Sequence, residues 1–380
     1  MQTAPNQVLL IVNSGSSSIK FAIYRRDKPL QLLFRGRITG IGKTGGFQVY
    51  DQQGHAVKEQ TIMVSNHGKA LGVLLNWLAI KATSLEIVAA GHRVVHGGSC
   101  FHEPVLITDN VITYLESLIP LAPNHQPASL QGIATLQRLQ PAITQIACFD
   151  TAFHHGRPEV EQKFALPSRC ELDAVRRYGF HGLSYQYIAK VLPDYLGEEA
   201  DGKVIVAHLG HGASLCALHE RRSVATTMTF TPLDGIPMGT RCGAIDPAVV
   251  LYLQNQGMTA DEVSDLLYFQ SGLLGVSGET DNMAELLGSS SAPAQRAIAQ
   301  FVHHTARAIG SLAAALEGLD ALVFTAGIGE HAAPIRAAIS ERCEWLGLEL
   351  DADANTLGQV CISKTGSLVQ TWIIPTDEEQ

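Results

Sequence analysis

Apolar and polar positions near the start of the chain change over in a way that marks a strand, a turn and a second strand. Leu9-Leu10-Ile11-Val12 form an apolar run, Asn13-Ser14-Gly15-Ser16-Ser17-Ser18 interrupt it, and Ile19, Phe21 and Ile23 then recur with a period of two. The same pattern predicts strands at 8–12, 19–24, 30–37, 46–50, 87–90 and 145–149, and helices at 68–80, 109–117 and 127–138. A second strand-turn-strand begins at Val204, where the apolar run to Leu209 meets Gly210-His211-Gly212 before Ala213 to Ala217. A helix is predicted over 292–317, with Ile298, Phe301, Val302, Ile309, Leu312 and Leu316 on one side and Thr305 in the same row. Strand 321–325 follows, then the turn Ala326-Gly327-Ile328-Gly329-Glu330.

Alternating strand and helix signals make this an α/β chain. The two hairpins share an order of glycine, small residue, serine: Gly15-Ser16-Ser17 and Gly212-Ala213-Ser214. Either the chain is an internal duplication or the likeness is chance; duplication is the expectation. The boundary is then expected after Phe149-Asp150-Thr151, giving domains at 1–151 and 152–375, with the extreme C-terminus joined to the first.

Composition narrows the class. At 380 residues, 46% hydrophobic and 17% charged, the chain has core material for two domains. A net charge of −9 without a Lys/Arg run argues against a nucleic-acid partner. Seven scattered cysteines (100, 148, 170, 216, 242, 343 and 361) with no CxxC pair suit reduced thiols and a cytoplasmic location. Residues 8–12 are too short for a signal sequence, and no 18-residue apolar run predicts a membrane span.

Candidate chemistry sits among glycines. Gly15 allows a tight turn close to a ligand, and the neighbouring hydroxyls suit phosphate oxygens. Gly42-Lys43-Thr44 fails as a P-loop, because Arg37 stands where the upstream glycine is needed. Gly327-Ile328-Gly329 with Ala332 fits a dinucleotide fingerprint or an adenosine-holding turn of another fold. Arg93, in the glycine-bounded loop Gly91–Gly98, and Arg241, in Pro237–Gly243, each offer a rigid fork to phosphate or carboxylate; the plain alternative is a surface ion pair. His181 lies in Tyr178-Gly179-Phe180-His181-Gly182, and Asp150 follows the apolar strand end at Phe149. Carboxylates there commonly face the ligand crevice of open sheets, or cap a helix. His154-His155, without a carboxylate at metal spacing, reads as non-functional, with one ring near the cleft.

Taken in order, these segments resemble the acetate kinase family, the acetokinases that phosphorylate short carboxylates. The resemblance rests on Val12–Ser18, Gly91–Gly98, Phe149–His154, Arg177–Gly182, Phe230–Leu233, Met238–Arg241, Gly327–Glu330 and Ile374-Pro375-Thr376, and spans nearly the whole chain. It implies two duplicated RNase-H-like domains of the actin-like ATPase superfamily around a nucleotide cleft, a homodimer, and the reaction of ATP and acetate to ADP and acetyl phosphate. A propionate or butyrate kinase, a hydroxyl kinase with Asp150 as base, and a catalytically weakened nucleotide-binding paralogue are the alternatives.

The resemblance also implies roles. Arg93, Asp150, His181 and Arg241 are the catalytic set. Arg93, Val95, Asn124, Phe180 and Pro232 take the acyl substrate. Ser14, Gly15, Ser16 and Lys20, with His208, Leu209, Gly210, His211 and Gly212, line the phosphate path. Asn282, Met283, Ala284, Gly327, Ile328, Gly329, Glu330 and His331 hold the adenosine part. Asn13 and Glu378 place magnesium, or manganese in its stead. A carboxylate substrate is already ionised at neutral pH, so no general base is required. The task is to bring two anions together and hold the phosphoryl in line, which cations and fixed donors do. Three positions depart from the family: His211 replaces an asparagine, Asn282-Met283-Ala284 replaces Asp-x-Arg, and Asn124 replaces a leucine.

Overall fold

The structure, a computed structural model, describes residues 6–15, 17–81, 85–169 and 172–380. Expectations for Ser16 and Cys170 lie outside the described residues. The chain divides into two compact units, Met1–Ala152 with Glu379–Gln380, and Phe153–Glu378.

The first unit is built on strands β1 (Gln7–Ser14), β2 (Ser18–Arg25), β3 (Gln31–Thr39), β4 (Thr44–Asp51), β5 (Ala56–Met63), β6 (Glu86–Val94), β7 (Val105–Leu106) and β8 (Thr144–Phe149). They form one sheet in the order β5-β4-β3-β2-β1-β6-β8-β7. The hairpin β1–β2 is in the register Asn13↔Lys20 and Ser14↔Ile19, and the Gly15 N–H closes its turn on the Ser18 carbonyl at 2.8 Å. Val8, Leu10 and Val12 of β1 and Ile19, Phe21 and Ile23 of β2 are buried against Leu71, Leu74 and Trp77 of helix His67–Lys81. Burying each such side chain stabilises the unit by about 1.5–3 kcal/mol.

The second unit carries β9 (Val204–Leu209), β10 (Ala213–His219), β11 (Arg222–Thr226), β12 (Ala321–Thr325) and β13 (Gln370–Ile373), in the order β11-β10-β9-β12-β13. Helix Ala292–Leu316 turns Phe301, Val302, Thr305, Ile309, Leu312 and Leu316 inward. The two sheets share a plan. In each, a first strand pairs antiparallel with a second, which pairs antiparallel with a third, while on its other side the first strand pairs parallel with a later strand, which pairs parallel with another (β3-β2-β1-β6-β8 and β11-β10-β9-β12-β13). The likeness of the hairpins therefore extends to whole sheets.

Two local expectations are corrected, and one strand went unpredicted. Residues 91–94 are not loop: they finish β6, because Gly91 to Val94 pair in register with Ile146 to Phe149 of β8. The turn at 326–330 is the body of a short helix, Ala326–His331. Strand β5 gave no apolar alternation because most of it is exposed on both faces, where sheet hydrogen bonds to β4 replace burial.

Candidate active site

In the first unit, three neighbouring parallel strands end together. Val12 of β1 is opposite His92 of β6, and Arg93 is opposite Cys148 of β8, so Asn13, Arg93 and Asp150 emerge side by side at the carboxyl ends. Arg93 is clamped there. Its Nε donates to Asp150 Oδ1 at 2.9 Å, Nη2 to Asp150 Oδ2 at 2.6 Å, and Nη1 to Asn13 Oδ1 at 3.0 Å. The Asp150 side chain is 2% exposed and that of Arg93 is 23% exposed. A buried carboxylate thus fixes a guanidinium that still reaches solvent, and Asp150 caps no helix through this contact.

Val95 is buried two positions after Arg93, and Asn124 precedes helix Gln126–Leu139. Asn124 Nδ2 and Ser14 Oγ are buried without a hydrogen-bond partner among the described residues. Lys20 is exposed on β2 opposite Asn13. His92 and His96 flank the arginine, and burial pushes both rings down to about 4, so they are neutral.

In the second unit, β9 and β12 also end side by side, with His208 opposite Thr325. Gly210-His211-Gly212 forms the tip of the β9–β10 hairpin, closed by the Gly210 N–H on the Gly212 carbonyl at 3.2 Å. Two side chains converge over Gly212: a β-carbon built there would lie 3.1 Å from Arg241 Nη2 and 3.4 Å from His181 Nε2. Arg241 is held by its Nη1–H on the Pro232 carbonyl at 2.7 Å. The hairpin and the arginine loop are joined by the Gly239 N–H on the His211 carbonyl at 3.0 Å.

His181 is a non-glycine residue in the left-handed region, φ 56°, at the N-cap of helix Gly182–Leu196. Its ring stacks on His208 at 4.3 Å between centroids. The turn before it is braced from below. His154 Nε2–H donates to the Phe180 carbonyl at 2.9 Å, and a β-carbon on Gly179 (φ 86°) would lie 2.5 Å from the His154 ring. His154 is fully buried, and burial pushes it down to about 3.

His211 is exposed and pairs with Asp281 at 3.0 Å, Nε2 to Oδ2. Asn282 caps the helix Met283–Gly288 through Ala284 N–H, while Met283 is buried and Ala284 exposed. Glu330 Oε1 accepts from Ala326 N–H at 2.8 Å and Thr376 N–H at 3.3 Å; Gly327 and His331 are exposed, Gly329 is buried and Ile328 half-buried. Leu209 and Phe180 are buried, and Glu378 is half-buried. Sequence reasoning missed Asp281, Ser184 and Tyr185, and it quoted Ser214 and Thr376 within motifs without giving them a role. Only the His181/Tyr185 spacing of four along a helix hinted at a shared face.

Residues 8–380 match the Acetokinase family. The chain is 52% identical to the acetate kinase of Rhodopseudomonas palustris (strain TIE-1), covering 98% of this chain and 96% of that protein. The chain belongs to the acetokinase family. Among solved structures, a propionate kinase from Francisella tularensis superposes with a TM-score of 0.91 at 36% identity, covering 98% of this chain and 97% of that one. The Porphyromonas gingivalis acetate kinase gives 0.85 at 34%, with the same coverage. The two like sheets are accordingly the duplicated RNase-H-like domains of an acetokinase.

The Gly210–Gly212 tip suits the phosphates of a nucleotide. A glycine tip flanked by a guanidinium and an imidazole offers donors for phosphate oxygens. No helix among the described residues is long and apolar enough to cross a membrane.

Proposed function

We propose that this acetokinase is a cytoplasmic enzyme that transfers the terminal phosphoryl of ATP to acetate, reversibly, making acetyl phosphate and ADP. The observation that carries the reading is the convergence of Arg241 Nη2 and His181 Nε2 on the open side of Gly212. There a fork and a ring would grip the travelling phosphoryl while the backbone of Gly210–Gly212 bonds its neighbours. Arg93, braced by Asp150 and Asn13, would hold the acyl carboxylate, since its fork is fixed and partly exposed. Asp150 need accept no proton; it orients the guanidinium. Val95, Phe180 and Pro232 would face the methyl, and the unpartnered Asn124 amide is a donor for a carboxylate oxygen. Asn282 to Ala284 and Gly327 to His331 are assigned to the adenosine. Asn13 and Glu378 are assigned to magnesium, which when bound would spread the negative charge of the phosphates.

A homodimer is part of the proposal. Helix Pro247–Asn255 is largely apolar yet buries none of its residues, with Leu251 61% and Tyr252 62% exposed. A second copy of the chain is its assigned cover.

The test is trapping of acyl phosphate by hydroxylamine with ATP and acetate, propionate or butyrate. Acetate should turn over best; each methylene shifts discrimination by about 1–3 kcal/mol. Preference for a longer acid would reassign the substrate, as the propionate kinase neighbour allows. A glycerol- or sugar-dependent rate without trapping would make it a hydroxyl kinase. Nucleotide binding with no transfer would make it a weakened paralogue. Arg93→Ala and Arg241→Ala should each lower kcat by about 10²–10³ with the fold intact.

A further inference from the structure

The His181 ring is the end of a buried chain of hydroxyls. Its Nδ1 lies 2.8 Å from Ser214 Oγ, and Ser214 Oγ lies 2.5 Å from Tyr185 Oη. Ser214 and Tyr185 are both 0% exposed. Among the described residues, Ser214 Oγ bonds only these two groups and Tyr185 Oη bonds only Ser214. The sources are local. Tyr185 is one helical turn beyond His181, and Ser214 sits on β10 directly opposite His208 of β9.

Counting hydrogens decides the direction of this chain. Tyr185 carries one hydroxyl hydrogen and has one acceptor within reach, Ser214 Oγ. Burial also drives its phenol well above the usual range, so that hydrogen stays in place. If Tyr185 donates to Ser214, the Ser214 hydrogen has one remaining acceptor, His181 Nδ1. The reverse order, with Nδ1–H donating to Ser214 and Ser214 to Tyr185, strands the phenol hydrogen in the core. A buried donor without a partner loses its water and gains nothing in return. The forward order satisfies every hydrogen.

We propose that Tyr185 and Ser214 are positioning residues that fix the tautomer of His181, leaving Nδ1 bare and turning an Nε2–H toward the open side of Gly212. This deepens the proposed function and rests on its reading of His181 as a phosphoryl donor. A neutral imidazole then delivers a hydrogen bond at the phosphoryl position without first binding a proton, beside the fixed charge of Arg241. The stacked His208 ring, itself bonded through Nδ1 to Ser184 Oγ at 2.8 Å, limits rotation of the pair.

The test is a long-range proton–nitrogen NMR spectrum of the full chain labelled with ¹⁵N-histidine, with the His181 signals identified by their loss in His181→Gln. The expected spectrum has a protonated Nε2 and a bare Nδ1 for that ring. Ser214→Ala should lower kcat about fivefold, the worth of one neutral hydrogen bond, with KM for ATP moving less than about twofold. Tyr185→Phe should lower kcat as well, by less. A wild-type spectrum with hydrogen on Nδ1 overturns the tautomer assignment, as does a Ser214→Ala enzyme with unchanged kcat. A His181→Gln enzyme that keeps its rate overturns the phosphoryl role itself, and the proposal with it, whatever the spectrum.

Discussion

Asp150→Asn is the sharpest perturbation of the first unit's cluster of Asn13, Arg93 and Asp150. The carboxylate receives two near-parallel bonds from Arg93, at 2.9 and 2.6 Å, and is almost wholly buried. Asparagine keeps the shape but has one oxygen, so an amide NH₂ must meet either Nε–H or Nη2–H. One charge-assisted bond is lost and a donor faces a donor. Bonds to charged groups are worth about 1.5–3 kcal/mol, and the mismatch brings the total to about 2–4 kcal/mol. If that energy is what keeps the fork in place, the guanidinium swings toward solvent and the rate falls about 30- to 1,000-fold, at 1.36 kcal/mol per factor of ten. The assay is the initial rate of acetyl hydroxamate formation at saturating ATP, with circular dichroism to show an intact fold. A folded Asp150→Asn enzyme within about threefold of wild type would refute the clamp, since such a ratio is under 1 kcal/mol.

Gly179→Ala should destabilise the second unit by about 1–3 kcal/mol and lower kcat, because a β-carbon at φ 86° would lie 2.5 Å from the buried His154 ring; thermal unfolding and kcat read the two effects. The buried histidines make the protein acid-labile: His92 and His96 sit at about 4 and His154 at about 3, against 6.5 when unfolded. The unfolded chain therefore binds more protons, so their stabilisation is complete above about pH 6.5 and declines toward pH 4–3, each ring losing about 2 kcal/mol by pH 5. Denaturant unfolding from pH 8 to 4.5 should show this slope, and His154→Gln should flatten it by up to one proton; an unchanged slope would contradict the assignment. Leu251→Glu should place a charge on the exposed apolar helix and shift sedimentation from dimer to monomer, with no change if that face has no partner.

Much of this molecule was written in local pattern. The first strand and the long helix follow from apolar spacing, because each buries one face and the backbone period decides which residues share it, while the β9–β10 hairpin shows as a near-continuous apolar run because both its faces are covered. Glycines beside His181 and Arg241 marked turns, since tight turns leave their signature in composition, whereas Gly91 beside Arg93 belongs to a strand that only pairing with β8 reveals. Strand β5 was illegible because exposed residues carry no burial pattern, and its place depends on the β4 edge alone. The partners of the chemical groups were equally hidden. Asp150 lies 57 positions from Arg93, and Ser214 lies 33 from His181. Sequence can name residue types suited to a phosphoryl group. Which carboxylate clamps which arginine, and which hydroxyl sets a ring's hydrogen, depends on strands far apart in the chain ending side by side. Short-range hydrogen bonds choose partners by ångströms in space, and the order of residues along a chain does not contain those distances until the sheet is formed.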